Sequence, residues 1–463
     1  MASSTGDEPR PDLEALLVPR KAEDGLPEEE LCYPDEPLSP GRQGLRVTAA
    51  TANLATTIMG AGIMALPRAF ATLGLVLGFG LLMGIFALSF FSLAALVRCA
   101  GIARRSTYAE LVHGEFGMAG SRLLEGSVVL NNAGSMIIYM IIMADVLVGV
   151  PPHYSGLVTN ALGVHDPSVW YVSRPFVVGA LCVLCLAPLL SLRDLALLAP
   201  ASTAAVGVAG AFALSVLGIT GAALWEGRLA AFRWLPTREA LGGDATHIVI
   251  TLLAVLPVIS LSFVCHYNIL PLASSLQRFS DRRMSMVIRR ALTVCTCVFT
   301  LVAAGGYMLF GPDTQANILN NLTPEGLGQF VPLCVASVLS VGVRLGYCLC
   351  LMATFAMLNW ALRQTLSRMV LGVDMPQGAA FYGLSYGILA VLYAVSIAFP
   401  SVWGAMSLTG ATAAVMVAFI LPGALVLRLQ RDSKVERALG GLCVGLGILM
   451  GVVGVSNTLF FSS

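Results

Sequence analysis

From residue 47 to the end, long apolar runs alternate with short polar ones, and neither the two-residue period of strands nor a one-sided helical stripe dominates. Runs of about twenty apolar residues are the length a helix needs to cross a bilayer. Eleven such segments can be drawn, near 48–71, 73–98, 124–150, 172–191, 200–224, 247–275, 287–310, 329–366, 379–400, 403–428 and 438–460. The pattern predicts an all-α polytopic membrane protein. The eighth segment fits one tilted helix with an extension, or two short spans hinged near Arg344. Residues 1–46 are rich in Pro, Glu, Asp and Arg and lack apolar clusters, so they are expected to be a disordered tail. The tail has no cleavable-signal pattern, which leaves the first membrane helix as the targeting signal.

Charge placement chooses between the two readings of the eighth segment. With the tail in the cytosol, one side collects Arg42, Arg46, Arg98, Arg104, Arg105, Arg193, Arg278, Arg282, Arg283, Arg289 and Arg290. Arg363, Arg368, Arg428, Arg431, Lys434 and Arg437 join them. The other side receives only Arg174, Arg228, Arg233 and Arg238. Positive charge is retained on the cytosolic side, so eleven spans are expected, with a cytosolic N-terminus and an external or lumenal C-terminus. Splitting the eighth segment would put the last basic cluster outside. The sequon Asn321-Leu322-Thr323 falls on the outer side, making Asn321 a candidate glycosylation site.

Composition narrows the function classes. Of 463 residues, 57% are hydrophobic and 11% charged, and the mean hydropathy is +0.82, far from a soluble globular protein. Net charge is +1 with no basic block, so no nucleic-acid partner is expected. The eleven cysteines lie mostly inside apolar runs, as do Cys182 and Cys185, and form no zinc-like spacing with histidine. No H-E-x-x-H, G-x-S-x-G or acid–base pair on facing spans points to an enzyme. In the tail, Asp12, Leu16 and Leu17 have the spacing of an acidic dileucine signal for a sorting adaptor.

Candidate chemistry concentrates where the apolar pattern is interrupted. Residues 53–67 read N-L-A-T-T-I-M-G-A-G-I-M-A-L-P, with Gly60 and Gly62 followed by Pro67 inside a span. Glycine and proline there weaken the helical ladder, and a broken membrane helix is tolerated where its freed backbone faces protein or a watery cavity. The competing reading is close helix packing through small residues. Span six carries Ser260, Ser262, His266, Tyr267, Asn268 and Pro271, a polar density that predicts a second break. Span three adds Asn131, Asn132 and Gly134. His266 is either a hydrogen-bonded structural residue or a proton relay. Among the few charges in the spans, Asp145 is a proton-carrier candidate or a residue solvated near the outer end. Arg344, read as nearer mid-membrane, requires an acidic partner, for which Asp145 and Glu125 are the candidates. Two broken helices opening two five-span sets, 1–5 and 6–10, match an inverted-repeat transporter. The repeats are expected at about 47–225 and 246–428, with an extra helix at about 438–460, all within a membrane domain of 47–463.

The run from Asn53, V-L-N-N-A-G-S-M-I-I-Y-M-I-I-M-A-D-V-L from Val129 and F-V-C-H-Y-N-I-L-P from Phe263 resemble the amino acid/auxin permease superfamily. So does R-L-G-Y-C-L-C-L-M-A-T-F-A-M-L-N-W-A-L-R from Arg344. The resemblance is above all to plant and algal vacuolar-type amino acid transporters, with the animal sodium-coupled neutral amino acid transporters as relatives. It covers spans one to eight. It implies a LeuT-like bundle of ten helices plus one. Gly60, Ala61 and Gly62 then match the break that holds a substrate carboxylate. Asn53 matches an asparagine near the cation site and Thr354 the span-eight hydroxyl of sodium-coupled members, with Thr56 and Thr57 beside the break. Asn132, Ser262 and His266 complete the expected substrate site. Where relatives carry Asn near Thr56 and proline after the span-eight hydroxyl, this chain has threonine and Ala356, so sodium and proton remain equal candidates for the coupling ion.

The expected function is secondary active transport of neutral L-amino acids by alternating access, without a cofactor, in a vacuolar, lysosomal or plasma membrane. The alternative is an amino acid sensor that signals through its tail with little flux.

Overall fold

The computed structural model describes residues 45–192, 199–237, 245–277, 279–373, 376–430 and 433–460. Asp12, Leu16 and Leu17, and with them residues 1–44 of the expected tail, lie outside the described residues; Leu45, also counted in that tail, is ordered, with its N–H donating to Ser275 O at 2.8 Å and its carbonyl accepting from Gln277 N–H at 3.0 Å. The protein is an all-helical membrane bundle. Its elements are α1 (Val47–Ile58), α2 (Gly62–Ala103), α3 (Tyr108–Val148), α4 (Arg174–Leu190), α5 (Ala199–Trp225) and α6 (Ala245–Leu261). There follow α7 (His266–Ser274), α8 (Asp281–Phe310), α9 (Leu333–Leu371), α10 (Gly378–Ala398), α11 (Val402–Leu429) and α12 (Lys434–Phe460).

Each apolar segment read from the sequence falls on helix, but among the described residues nine helices are long and apolar enough to cross a membrane. Two features account for the difference from eleven. First, α4 is a 17-residue helix, interrupted by a π turn over Cys182–Leu186. Second, segments one and two merge in α2, whose 42 residues would extend about 63 Å, twice a hydrocarbon core of about 30 Å. Gly74 breaks α2 with φ 74° and ψ 169°, a conformation that glycine adopts readily. The N–H groups freed there are not orphaned: Leu75 donates to Arg233 O at 3.1 Å and Val76 to Trp234 O at 2.9 Å.

In contrast, α9 runs through Arg344 without a break, which agrees with one long eighth span. Arg344 is not near the middle of the bundle. Its Nη2 donates to Val146 O at 3.0 Å and Ser155 O at 2.8 Å, level with the C-terminal end of α3. Arg363 follows about 28 Å further along the helix, roughly one bilayer core away.

The core is built where α2 packs along α8, α1 beside α8, and α3 against α9. Small residues bring these backbones close, as is usual between membrane helices. A Cβ on Gly306 of α8 would lie 3.0 Å from the Pro67 side chain of α2, and one on Gly423 of α11 would lie 2.6 Å from the Gly440 carbonyl of α12. At the end of the bundle holding the α1 N-terminus, Arg98 pairs with Glu436, and Arg428 with Glu115 at 3.1 Å.

Candidate functional site

Two interruptions define the site. The first lies between α1 and α2. The ladder closes at the end of α1 with Met59 N–H to Ala55 O at 2.9 Å, then tightens with Gly60 N–H to Ile58 O at 2.8 Å. Helix resumes at Gly62, where Met64 N–H reaches Ala61 O at 3.0 Å. The N–H groups of Gly62 and Ile63 have no acceptor among the described residues. The second interruption separates α6 from α7. Phe263 N–H bonds Ser260 O at 3.0 Å, and Val264 N–H bonds Leu261 O at 3.4 Å, a tight final turn before α7 starts at His266. The two breaks lie side by side, because a Cβ on Gly62 would be 2.8 Å from Ser262 Cα.

Between them opens a cavity of about 330 Å³. It brings together Asn53, Thr56, Thr57, Gly60, Ala61 and Gly62 from the first break, Asn132 from α3, Ser262 from the second and Thr354 from α9. Helix N-termini carry partial positive charge and free N–H groups, so the start of α2 offers a place for a carboxylate. Asn131 and Asn132 are buried, and neither Oδ1 has a partner among the described residues. The hydroxyls of Thr56, Thr57 and Thr354 donate to the carbonyls of Ala52, Asn53 and Cys350 at 2.8, 3.0 and 2.9 Å. Each hydroxyl oxygen therefore presents only lone pairs elsewhere, the polarity a cation needs.

His266 and Asp145 do not line the cavity. His266 is fully buried behind it, with Nε2 2.6 Å from Ser92 Oγ of α2 and Nδ1 without a partner among the described residues. Asp145 sits at the end of α3, where Oδ1 accepts from Arg174 at 2.7 Å and Asn320 Nδ2 donates to Oδ2 at 3.4 Å. Arg174, not Arg344, is thus the partner of Asp145, because the start of α4 folds back onto the end of α3. Asn321 Nδ2 donates to Asp313 O at 3.0 Å, and its Oδ1 accepts from Gln315 N–H at 2.8 Å. The sequon side chain is thereby tied into the loop after α8.

The cavity has further lining residues beyond the expected site, of which the sequence marks Tyr267 and Asn268, as part of the polar run in span six. Tyr347 of α9 donates from its hydroxyl to Gly60 O at 3.3 Å, capping a carbonyl released by the break. Tyr139 lies at the same place, its hydroxyl 3.3 Å from where a Gly60 Cβ would be. Ser135, Tyr139, Tyr267, Asn268 and Cys350 also face the cavity. The signal was present in the spacing: Asn132, Ser135 and Tyr139 on α3, and Tyr347, Cys350 and Thr354 on α9, recur at three and four residues, one helix face each.

Comparison with known proteins agrees with this architecture. The family profile described as "Transmembrane amino acid transporter protein" matches residues 43–460. Amino acid transporter AVT6E of Arabidopsis thaliana is 32% identical over 436 residues, covering 92% of this chain and 86% of that protein. Amino acid transporter AVT6A of the same plant is 33% identical over 424 residues, covering 89% and 87%. Among solved structures, a manganese transporter of Eremococcus coleocola superposes with a TM-score of 0.58 at 12% identity, covering 89% of this chain and 87% of that one. MHP1, a nucleobase-cation-symport-1 family transporter, superposes at 0.50 with 15% identity, covering 90% and 91%. At such identities the structural likeness speaks to the fold alone, a LeuT-like transporter fold.

Proposed function

From the premise that the chain belongs to the transmembrane amino acid transporter family, we propose that it carries amino acids across a membrane by alternating access through the cavity between its two broken helices. The observation that carries this reading is the contact of Gly62 with Ser262, which sets both breaks against one cavity. The substrate carboxylate binds the free N–H groups of Gly62 and Ile63, where the α2 dipole favours a negative charge. A neutral substrate is supported by the remaining wall, which offers Ser135, Tyr139, Tyr267 and Asn268 and, among the described residues, no charged side chain. Asn53, Thr56, Thr57 and Thr354 supply oxygen ligands for a coupling cation, sodium or a hydrated proton, at the α1 end of the cavity. The amino acid transporters of Arabidopsis that the chain resembles support the substrate class.

The cavity extends along Met357, Leu358 and Ala361 toward the α1 N-terminal side. At the other end, Pro67 packs on Gly306, and Arg68 donates to Thr314 O at 3.0 Å. We read this as the inward-facing state of a transporter with a cytosolic N-terminus and eleven crossings, in a vacuolar-type or plasma membrane. Alternation then requires α1 and α7 to close the inner side while the first arm of α2 leaves α8.

Reconstitution into liposomes tests the reading, with uptake of labelled neutral amino acids measured under sodium and proton gradients. The expected result is gradient-dependent accumulation. Saturable binding without flux would instead favour an amino acid sensor, and neither binding nor flux would sink both.

A further inference from the structure

A second cavity, about 600 Å³, lies at the opposite end of the bundle from the α1 N-terminus, between the loop after α3 and the loop joining α8 to α9. Arg344 forms part of its wall and is 1% exposed. Its Nη2 is used by the carbonyls of Val146 and Ser155, whereas Nε and Nη1 have no hydrogen-bond partner among the described residues. The guanidinium cannot shed its charge. A buried charge with unmet donors is strongly unfavourable unless an anion compensates it. The neighbouring aspartate does not supply one: Asp145, next in sequence to Val146, is held by Arg174 at 2.7 Å. Arg344 itself makes no ion pair among the described residues. The acidic side chains on the same cavity, Glu325 and Asp313, are exposed at its rim. Around them stand Asn320, His153 and His165, none of which adds a fixed negative charge.

We propose that this cavity binds one small anion from the outer solution, with Arg344 as its principal ligand. The bound charge compensates Arg344, whose guanidinium already joins α9 to the end of α3 through Val146 O at 3.0 Å. Two sources fit the chemistry, an inorganic halide and the carboxylate of a small organic solute.

The test uses the purified full chain in detergent, with its melting temperature followed as sodium chloride or sodium acetate replaces a bulky sodium sulfonate at constant ionic strength. The wild type is expected to show a saturable rise. A response to chloride alone assigns an inorganic ion, and a response to acetate alone assigns a carboxylate. Arg344→Met should raise the half-saturating concentration at least about tenfold, the scale of a charge-assisted hydrogen bond. Glu325→Gln should lower it several-fold, because a competing rim carboxylate is removed. A wild type indifferent to both anions overturns the proposal, as does a folded Arg344→Met with the wild-type half-saturation. Should Arg344→Met not fold, an unchanged half-saturation in Glu325→Gln overturns it.

Discussion

Gly62 and Ser262 touch so closely that no side chain fits between them: a Cβ added to Gly62 would stand 2.6 Å from Ser262 Cβ and 2.8 Å from its Cα. One residue begins the helix after the first break and the other lies in the second. Their contact makes the two interruptions a single structural unit. It also decides between the readings left open for the glycine pair. Gly60 lies at an interruption lined by the cavity, and Gly62 serves both purposes, close packing against Ser262 and an open backbone toward the cavity.

Gly62→Ala should therefore lose most uptake, because overpacking costs about 1–3 kcal/mol and here falls on backbone that cannot swing away. Ser262→Gly removes the opposing side chain, and the double variant should recover part of the activity. Initial uptake rates of the four proteins, normalised to the amount reconstituted, form the cycle. Additive losses would separate the two residues.

Thr354→Val tests the cation ligand. The hydroxyl already donates to Cys350 O, so valine removes an outward-facing acceptor without disturbing helix donors of α9. If sodium is the coupling ion, its half-saturating concentration should rise about tenfold, equivalent to roughly 1.4 kcal/mol, with the maximal rate preserved. An unchanged sodium dependence would remove Thr354 from the cation site.

What the sequence disclosed follows the physics of the bilayer. Gly60, Gly62 and Pro67 stand out because an apolar helix has little other reason to carry all three within eight positions, and the polar run from Ser260 to Asn268 stands out for the same reason. Hydropathy located the helices, but not that Gly74 folds one 42-residue helix against the loop at Arg233 and Trp234. The partners of charged residues were less legible. From the sequence, Asp145 and Glu125 are the candidate partners of Arg344 because all three lie in apolar segments, whereas the partner of Asp145, Arg174, sits at the start of α4 and comes near only through the fold. His266 shares a polar run with Ser262, yet a helix turn later its side chain points to Ser92.

Asp145→Asn distinguishes a structural ion pair from a proton carrier. Asp145 is buried and Arg174 is only partly exposed, so losing the charge should destabilise the protein by about 1–3 kcal/mol, discounted for solvent around the arginine. A lower melting temperature is expected, while the shape of uptake against pH stays that of the wild type. A flattened pH profile would return Asp145 to proton coupling.

Ser92→Ala reaches the substrate site indirectly. His266 opens α7, and the next two residues, Tyr267 and Asn268, line the cavity, so the imidazole fixes where that helix begins. Its Nδ1 has no partner, and Ser92 Oγ is the sole hydrogen-bond partner of Nε2 among the described residues. Alanine leaves a fully buried imidazole with neither nitrogen satisfied, a cost of about 1–3 kcal/mol that a shift of the α7 start would relieve. The expected result is a KM for uptake raised by up to about tenfold with little change in the maximal rate, and recovery in Ser92→Thr, which keeps the hydroxyl. A structural defect confined to folding would lower the amount of active protein and leave KM alone. An altered pH dependence in Ser92→Ala would instead make His266 a titrating participant, since the other contact of that hydroxyl, to Ser89 O at 3.4 Å, involves no titratable group.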